Sequence, residues 1–344
     1  MTGNATLHRR ALLASAGAAI LAGCGEPPPL TASRTPRLDM ATLNREMAAA
    51  AARARPGVLG AGLMNLESGE HFSLAGERRF PQAGAAALPI AAAVLADVDA
   101  GRLRLDETFV LLEEQLSPPL SPVAAAWPAR RDYTAGELLI AALTQADNTA
   151  ADVLMKRIGG PGAVSAWLQG HGLDDVRVDR YGRERVTEMH GLASFRPAWR
   201  TEGAFAAALE MVPQPQRMAA MRAYLADPRD TATPRAMLEF LQLLDRGELL
   251  SRRSTHLLLQ AMGRAGASSR LRTGLPDGTF PGLVAAAARS DLGLTPAVAE
   301  AGIFTLKDNR SYALVVLLAG TTLAPDDTAR VFADAARLAV GAVG

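Results

Sequence analysis

The sequence contains a single cysteine, Cys24, among its 344 residues. A disulfide within the chain is therefore excluded, and so is a metal site built on several thiolates. Lysine is almost as scarce, because Lys156 and Lys307 are the only two among 36 basic residues. The remaining basic residues are arginines, which stay protonated in proteins and cannot act as a base. Few side chains are left that could supply a thiol nucleophile or an amine base.

The chain also lacks an excess of charge of either sign. It carries 36 basic and 35 acidic residues, so the basic footprint of a nucleic-acid-binding protein is absent and no nucleic-acid partner is expected. Hydrophobic residues make up 49% of the chain, which is enough to bury a large core. The length fits one large domain or two intermingled domains.

Residues 1–23 have the layout of an export signal. Arg9 and Arg10 precede an apolar run from Ala11 to Gly23, and no acidic residue occurs before Cys24. The run is too short to span a bilayer as a mature helix. Residues 24–38, which begin near a run of three prolines, are interpreted as an extended tether.

The end of this segment, Leu21-Ala22-Gly23-Cys24, resembles a bacterial lipobox. The resemblance implies lipidation at Cys24 and an exported, periplasmic lipoprotein anchored to a membrane. An ordinary signal peptide with an incidental cysteine is the alternative. Residues His8 to Leu13 also resemble a twin-arginine export signal, although that pattern is loose.

Hydrophobic periodicity predicts strands at both ends of the folded region and helices between them. Strands are predicted at 58–66, 71–74, 284–288, 298–306 and 312–319, and helices at 42–55, 84–100, 134–143, 149–158, 234–245, 254–262 and 326–340. Pro89 would kink the second helix unless that helix begins later than residue 84. This order favours one sheet interrupted by a helical insertion.

Four separated segments occur in the order typical of class A serine β-lactamases and related penicillin-recognising serine hydrolases. The segments are Ser73 to Pro81, Thr144 to Ala151, the pair Val178 to Tyr181 and Arg229 to Pro234, and the pair Arg270 to Pro276 and Ala301 to Ile303. The chain resembles this family over about residues 40–344.

The resemblance implies an α/β (α+β) fold with an antiparallel sheet, flanking terminal helices and an inserted all-α domain. The sheet subdomain is expected at 39–82 and 264–344. The helical subdomain is expected at 83–263, and it includes an extended Ω-loop insertion at about 183–225.

The family's reactive side chains are missing from the matching positions. Gly84 and Ala87 stand in place of the Ser and Lys of the Ser-x-x-Lys motif, and no Ser-x-x-Lys occurs anywhere in the chain. Ala146 replaces the Ser of the Ser-Asp-Asn loop, and Gly182 replaces the Glu that activates the deacylating water. Ala288 is the best match for the Lys of the Lys-Thr-Gly strand. These five positions are interpreted as vestigial.

Several other family positions keep their side chains. Asp147 is expected to anchor its loop, and Asn148 could bind a substrate amide or simply belong to a helix cap. Arg180 and Asp230 match the ion pair that closes the Ω-loop. Arg289 could bind a carboxylate through its planar guanidinium, or it could be a solvated surface arginine.

The functional hypothesis is an inactive pseudoenzyme that binds a cell-wall peptide, a β-lactam or a protein partner reached through the insertion. The alternative is a β-lactamase-family hydrolase with residual or rearranged activity, for example through a water activated by Glu184. A third possibility is a purely structural envelope lipoprotein. No cofactor or metal is expected, and the histidines, His190 among them, are interpreted as surface residues.

Overall fold

The computed structural model describes residues 37–119 and 121–343. Cys24, the signal segment and most of the tether lie outside the described residues. Within the described part, no helix is both long and apolar enough to cross a membrane.

Twelve α-helices and nine strands are found among the described residues. The helices are α1 Met40–Arg53, α2 Ala87–Asp99, α3 Pro122–Ala126, α4 Ala135–Gln145, α5 Asn148–Arg157, α6 Pro161–Gly170, α7 Gly182–Met189, α8 Glu202–Glu210, α9 Gln214–Ala226, α10 Pro234–Asp245, α11 Arg252–Ala265 and α12 Pro325–Gly341. The strands are β1 Val58–Asn65, β2 His71–Leu74, β3 Phe80–Pro81, β4 Thr108–Val110, β5 Asp132–Thr134, β6 Thr231–Ala232, β7 Phe280–Ala287, β8 Thr295–Thr305 and β9 Ser311–Thr321.

The main sheet has five antiparallel strands in the order β2-β1-β9-β8-β7. Strands from both ends of the chain therefore meet, because β1 pairs with β9 along its whole length, from Val58 opposite Ala319 to Asn65 opposite Tyr312. The central strands are buried nearly end to end, which explains their continuous runs of apolar residues. The expected antiparallel α/β (α+β) fold is confirmed.

The two faces of the sheet are covered by different helices. On one face, the terminal helices α1 and α12 bury Leu43, Met47 and Phe332 against Leu314 and Val316. On the other face, α10 and α11 pack over residues such as Leu317 in a core that continues through α2 into the helical region. The site described below lies on this second side, where α2 begins.

Local signals explain where the helices of the site begin. Thr134 caps α4 and forms a reciprocal capping box with Glu137. A 3₁₀ turn over Ala83–Ala86 precedes α2, which starts at Ala87. Pro89 is therefore the third residue of the α-helix, where its missing N–H would have no helical partner in any case.

A short pairing connects the approach to α2 with the end of the insertion. Strand β3 pairs with β6, so that Phe80 lies opposite Ala232 and Pro81 opposite Thr231. The backbone N–H of Gln82 also donates to the carbonyl of Asp230 at 3.1 Å. The 3₁₀ turn that carries Gly84 is thereby held beside both ends of the insertion.

The insertion folds into helices α7, α8 and α9, which the sequence did not predict. Val186, Leu192 and Phe205 form a small apolar cluster of their own with Leu209 and Val212. A second cluster joins the insertion to the loop after β7, since Met189, Met221 and Tyr224 pack with neighbours that include Ala288 and Leu292. The insertion is thus a packed helical layer.

Candidate functional site

Gly84 lies in the 3₁₀ turn before α2, closely facing two alanines. A Cβ added at Gly84 would lie 2.9 Å from the Cβ of Ala146 and 3.0 Å from the Cβ of Ala286. These distances are shorter than ordinary carbon contacts. The space that a side chain at Gly84 would need is already occupied by methyl groups.

Ala87 and Ala146 lie on either side of this turn. Ala87 is the first residue of α2 and is buried. Ala146 ends α4 in the left-handed conformation, with φ 49° and ψ 38°, which is uncommon for a residue with a Cβ. Together with Gly84 and Gly182 they line a first cavity of ≈ 20 Å³, which is room for about one water molecule.

Gly182 begins α7, and a buried carboxylate occupies the space next to it. The backbone N–H groups of Gly182 and Arg183 donate to the two oxygens of Asp152 at 2.6 and 3.1 Å, and the Ser117 hydroxyl donates to the same carboxylate at 2.7 Å. A Cβ at Gly182 would lie 2.9 Å from Asn148 Oδ1 and 3.2 Å from Asp152 Oδ1. Asp152, which no sequence pattern indicated, is buried in α5 and fixes the start of α7.

Burial governs the ionisation of this carboxylate. Desolvation raises the pKa of Asp152, and the hydrogen bonds from Ser117, Gly182 and Arg183 oppose that rise. The Asp147 carboxyl behaves in the same way, because burial raises its pKa while hydrogen-bond donors oppose the rise. The carboxylates of Asp147 and Asp152 both fix neighbouring backbone segments by accepting hydrogen bonds from backbone N–H groups.

Asp147 and Asn148 use their polar atoms within the protein. Asp147 caps α5 and accepts hydrogen bonds from Ala150 N, Val123 N and the hydroxyl of Ser121. Asn148 donates through Nδ2 to the carbonyl of Pro119 at 2.8 Å and is buried. A substrate amide would have to displace that bond to reach Nδ2.

Arg180 and Asp230 form a buried ion pair at the base of the insertion. Arg180 Nε donates to Asp230 Oδ2 at 2.6 Å, and the two side chains are 6% and 3% exposed. Glu188 and Asp227 also contact the guanidinium. The carboxylates of Asp230 and Asp179 each accept the other residue's backbone N–H, at 2.7 and 2.9 Å. These contacts between Asp179, Arg180 and Asp230, which we call the clasp, hold the two ends of the insertion together.

The end of β7 lies against the same region. Ala286 faces Gly84, while Ala288 follows the last strand residue and donates its backbone N–H to the carbonyl of Ala297 at 2.8 Å. Arg289 forms an ion pair with Glu202 at the start of α8. The guanidinium of Arg289 is therefore paired with a carboxylate of the insertion.

A second cavity, of ≈ 30 Å³, lies between Gly84, Ala146 and Ala288 on one side and the insertion on the other. Its outer wall is formed by Arg185, Val186 and Met189 of α7 together with Tyr224 of α9. Small-molecule pockets in proteins usually have volumes of about 300–1,000 Å³. Residues of α7 and α9 therefore close one side of this small cavity.

The interpretation of His190 as a surface residue is wrong. The side chain is 0% exposed, it packs edge-on against Phe205, and its Nδ1 lies 3.7 Å from Asp291 Oδ2. Desolvation lowers the pKa of His190 to about 4, against the opposing influence of Asp291. Its burial depends on the folding of the insertion, which no local pattern indicated.

Glu184, the candidate for activating a water, does not face either cavity beside Gly84. Glu184 is exposed and accepts the backbone N–H of Tyr181, which caps α7, and it lines neither cavity. Across residues 37–119 and 121–343, no group of three or more acidic, histidine or cysteine side chains is arranged to hold a metal ion.

Known proteins resemble this chain over nearly all of the described region. A family model described as the β-lactamase enzyme family matches residues 42–343. A crystal structure of a β-lactamase from Chitinophaga pinensis DSM 2588 is 27% identical, with a TM-score of 0.69, and the match covers 86% of this chain and 97% of that one. A class A β-lactamase representing the last common ancestor of Gram-negative bacteria (GNCA4) is 27% identical, with a TM-score of 0.70, over 88% of this chain and 100% of that one.

Proposed function

Because this chain belongs to the β-lactamase enzyme family, we propose that it is a member that has lost acyl-enzyme chemistry and acts by binding. The observation that carries the proposal is the surface around Gly84. The residues of the first cavity that come from the 3₁₀ turn, from α2 and from the end of α4 are glycine, alanine and Ile90, without a hydroxyl or an amine. A covalent route needs a nucleophile with an adjacent base, and neither is present there.

The packing of the insertion supports the same proposal. Arg185, Val186 and Met189 border the second cavity, and the two cavities beside Gly84 have room for only a few water molecules. Membership of the family suggests β-lactams as the first ligands to test. Binding at Gly84 would require α7 to move away. The outer surface of the insertion is therefore our preferred contact for a protein partner, ahead of a cell-wall peptide in the groove.

We further propose that the protein is exported and anchored through a lipidated Cys24. This proposal rests on the lipobox-like sequence alone, since Cys24 lies outside the described residues. Mass spectrometry of the protein purified from membranes tests it. The expected result is an N-terminal peptide that begins at a lipidated Cys24, and an unmodified Cys24 would contradict it.

Incubation with a penicillin, followed by intact-mass measurement, tests the loss of acylation. We expect no covalent adduct and no burst of hydrolysis, whereas an active class A enzyme run in parallel should give both. A stable penicilloyl adduct on any side chain would refute the proposal. Slow hydrolysis without a burst, abolished by Glu184→Gln, would instead favour the residual-hydrolase alternative.

A further inference from the structure

The contact between the insertion and the loop after β7 contains buried polar side chains that are incompletely paired. His190 follows the last residue of α7, Arg217 lies in α9 and Asp291 lies in the loop, and we call these three the His190 cluster. Four of the nine buried side-chain polar atoms without a hydrogen-bond partner among the described residues belong to this cluster. They are both ring nitrogens of His190, Nε of Arg217 and Oδ2 of Asp291. A buried polar atom without a partner in the protein is costly, so this contact is a weak point of the interface.

The charges in the His190 cluster balance only while the histidine is neutral. Asp291 supplies its single carboxylate, and Oδ1 of Asp291 accepts a hydrogen bond from Nη1 of Arg217 at 2.8 Å. The side chains of Arg217 and Asp291 are only 11% and 12% exposed. The ring of His190 lies beside this pair, with Nδ1 3.7 Å from Asp291 Oδ2, which is too long for a hydrogen bond. A proton on His190 would therefore leave two buried cations to share one carboxylate.

The other groups that act on His190 also disfavour a proton on its ring. Phe205 of α8 packs against the imidazole and offers it no charge. Arg289, in the loop, adds a further positive charge, and its own partner is Glu202 at the start of α8. Desolvation lowers the pKa of His190 to about 4, Asp291 opposes this change, and both arginines reinforce it. The closed interface thus favours the neutral ring.

The insertion buries much of its apolar surface within itself, apart from the sheet. Val186 and Phe205 belong to an apolar cluster that is formed by residues of the insertion alone. Besides the His190 cluster, α7 and α9 contact the loop through a second small apolar cluster, in which Met189 packs near Leu292. A segment with its own small core and few contacts to the rest of a protein can open at a lower free energy than the whole fold.

We propose that the His190 cluster is an acid-sensitive latch, in which a proton on His190 releases α7 and α9 from the loop after β7. Met189 of α7 and Tyr224 of α9 border the second cavity, and Ala288, just before the loop, borders the same cavity. Release of the latch therefore opens the cavity beside Gly84 to solvent. The latch does not depend on the proposed loss of acylation, because its three residues line neither cavity.

Hydrogen exchange of the full chain, measured by mass spectrometry at pH 8 and pH 5, tests the latch. Protection factors compare each exchange rate with that of an unstructured peptide at the same pH, which removes the pH dependence of the exchange chemistry. We expect the protection of α7 and α9 to fall by about 30-fold from pH 8 to pH 5, because the pKa of His190 is about 4 when closed and 6.5 when exposed. At each pH this protection should be lower than that of β8 and β9, whose exchange requires the sheet to open.

His190→Gln removes the titrating ring, so the protection of α7 and α9 should then change by less than about threefold between the two pH values. His256→Gln, at an exposed histidine of α11, is the matched control and should keep the wild-type change. Arg217→Met is a second variant if His190→Gln does not fold. It leaves Asp291 without its cation and able to pair with the protonated ring, so the fall in protection should shrink or reverse. Arg222→Met, at an exposed arginine of the same helix, is the control for Arg217→Met.

Three results would overturn the latch. Equal protection of α7, α9, β8 and β9 at both pH values would show that the insertion opens only when the whole fold opens. Protection of α7 and α9 that does not change between pH 8 and pH 5 would show that their opening leaves His190 buried. A fall in protection that His190→Gln, or Arg217→Met in its place, retains in full would show that another group titrates.

Discussion

The buried His190 should make the stability of this protein depend on pH well above the range in which its exposed carboxylates titrate. In the folded protein, desolvation lowers the pKa of His190 to about 4, from an ordinary value of 6.5. At pH values between these two, the imidazole of His190 is protonated in the unfolded chain and neutral in the folded protein. Stability is therefore complete above about pH 6.5 and is lost as the pH falls towards 4.

The size of this effect follows from the shift. A difference of about 2.5 pKa units corresponds to roughly 3 kcal/mol, at about 1.4 kcal/mol per unit. The side chain is fully buried, so solvent screening does not reduce the figure. The charged groups that face His190 are Asp291, which favours protonation, and Arg289 and Arg217, which oppose it.

Urea unfolding at several values between about pH 8 and pH 4.5 measures the dependence. The variant His190→Gln cannot titrate, and its free energy of unfolding should fall by about 2–3 kcal/mol less than that of the wild type over this range. His256 is exposed, so His256→Gln is the control and should keep the wild-type slope. Parallel curves for wild type and His190→Gln would refute the buried, neutral state of this histidine.

Three further predictions concern the site. Arg180→Ala should lower the free energy of unfolding by about 3–5 kcal/mol, because it leaves Asp230 buried without its cation; an unchanged urea midpoint would contradict this. Gly84→Ser should cost about 1–3 kcal/mol by crowding Ala146, whereas Gly203→Ser, which has open space around it, should be neutral; equal thermal shifts for the two would argue against the crowding. Asp152→Asn should lower the free energy of unfolding by about 1–3 kcal/mol, because a single amide oxygen replaces the two carboxylate oxygens that accept these hydrogen bonds. Hydrogen exchange at the start of α7 should become faster, and unaltered exchange there would count against the role of Asp152.

The elements of the sheet and its covering helices could be predicted because their signals are local. The capping box of Thr134 and Glu137 marks the start of α4, and continuous apolar runs mark β8 and β9. The late start of α2 could also be anticipated from Pro89, since proline is tolerated only in the first turn. The ion pair of Arg180 with Asp230 was foreseen from the family resemblance, and the contact is present.

What could not be predicted depends on contacts between distant segments. The burial of His190 requires α8 and the loop after β7 to fold around it, and Asp152 becomes important only because α7 begins beside it. Nothing in the alanine-rich sequence around Ala146 indicates that its backbone adopts the left-handed conformation. The sequence predicts which side chains are absent at Gly84 and Ala87, but the closure of the second cavity by α7 and α9 is a property of the packed structure.

The clasp between Asp179, Arg180 and Asp230 has an evolutionary consequence. It holds residues 179 and 230 together, so the segment between them forms a closed loop. The entropic cost of closing a loop grows slowly with its length, by about 0.6 kcal/mol for each doubling. The loop-closure cost of lengthening or shortening residues 183–225 is therefore small, provided that the residues that pack against α5 and the loop after β7 are kept. The clasp thus lets the length of this segment vary without changing the positions at which the backbone leaves and rejoins the rest of the fold.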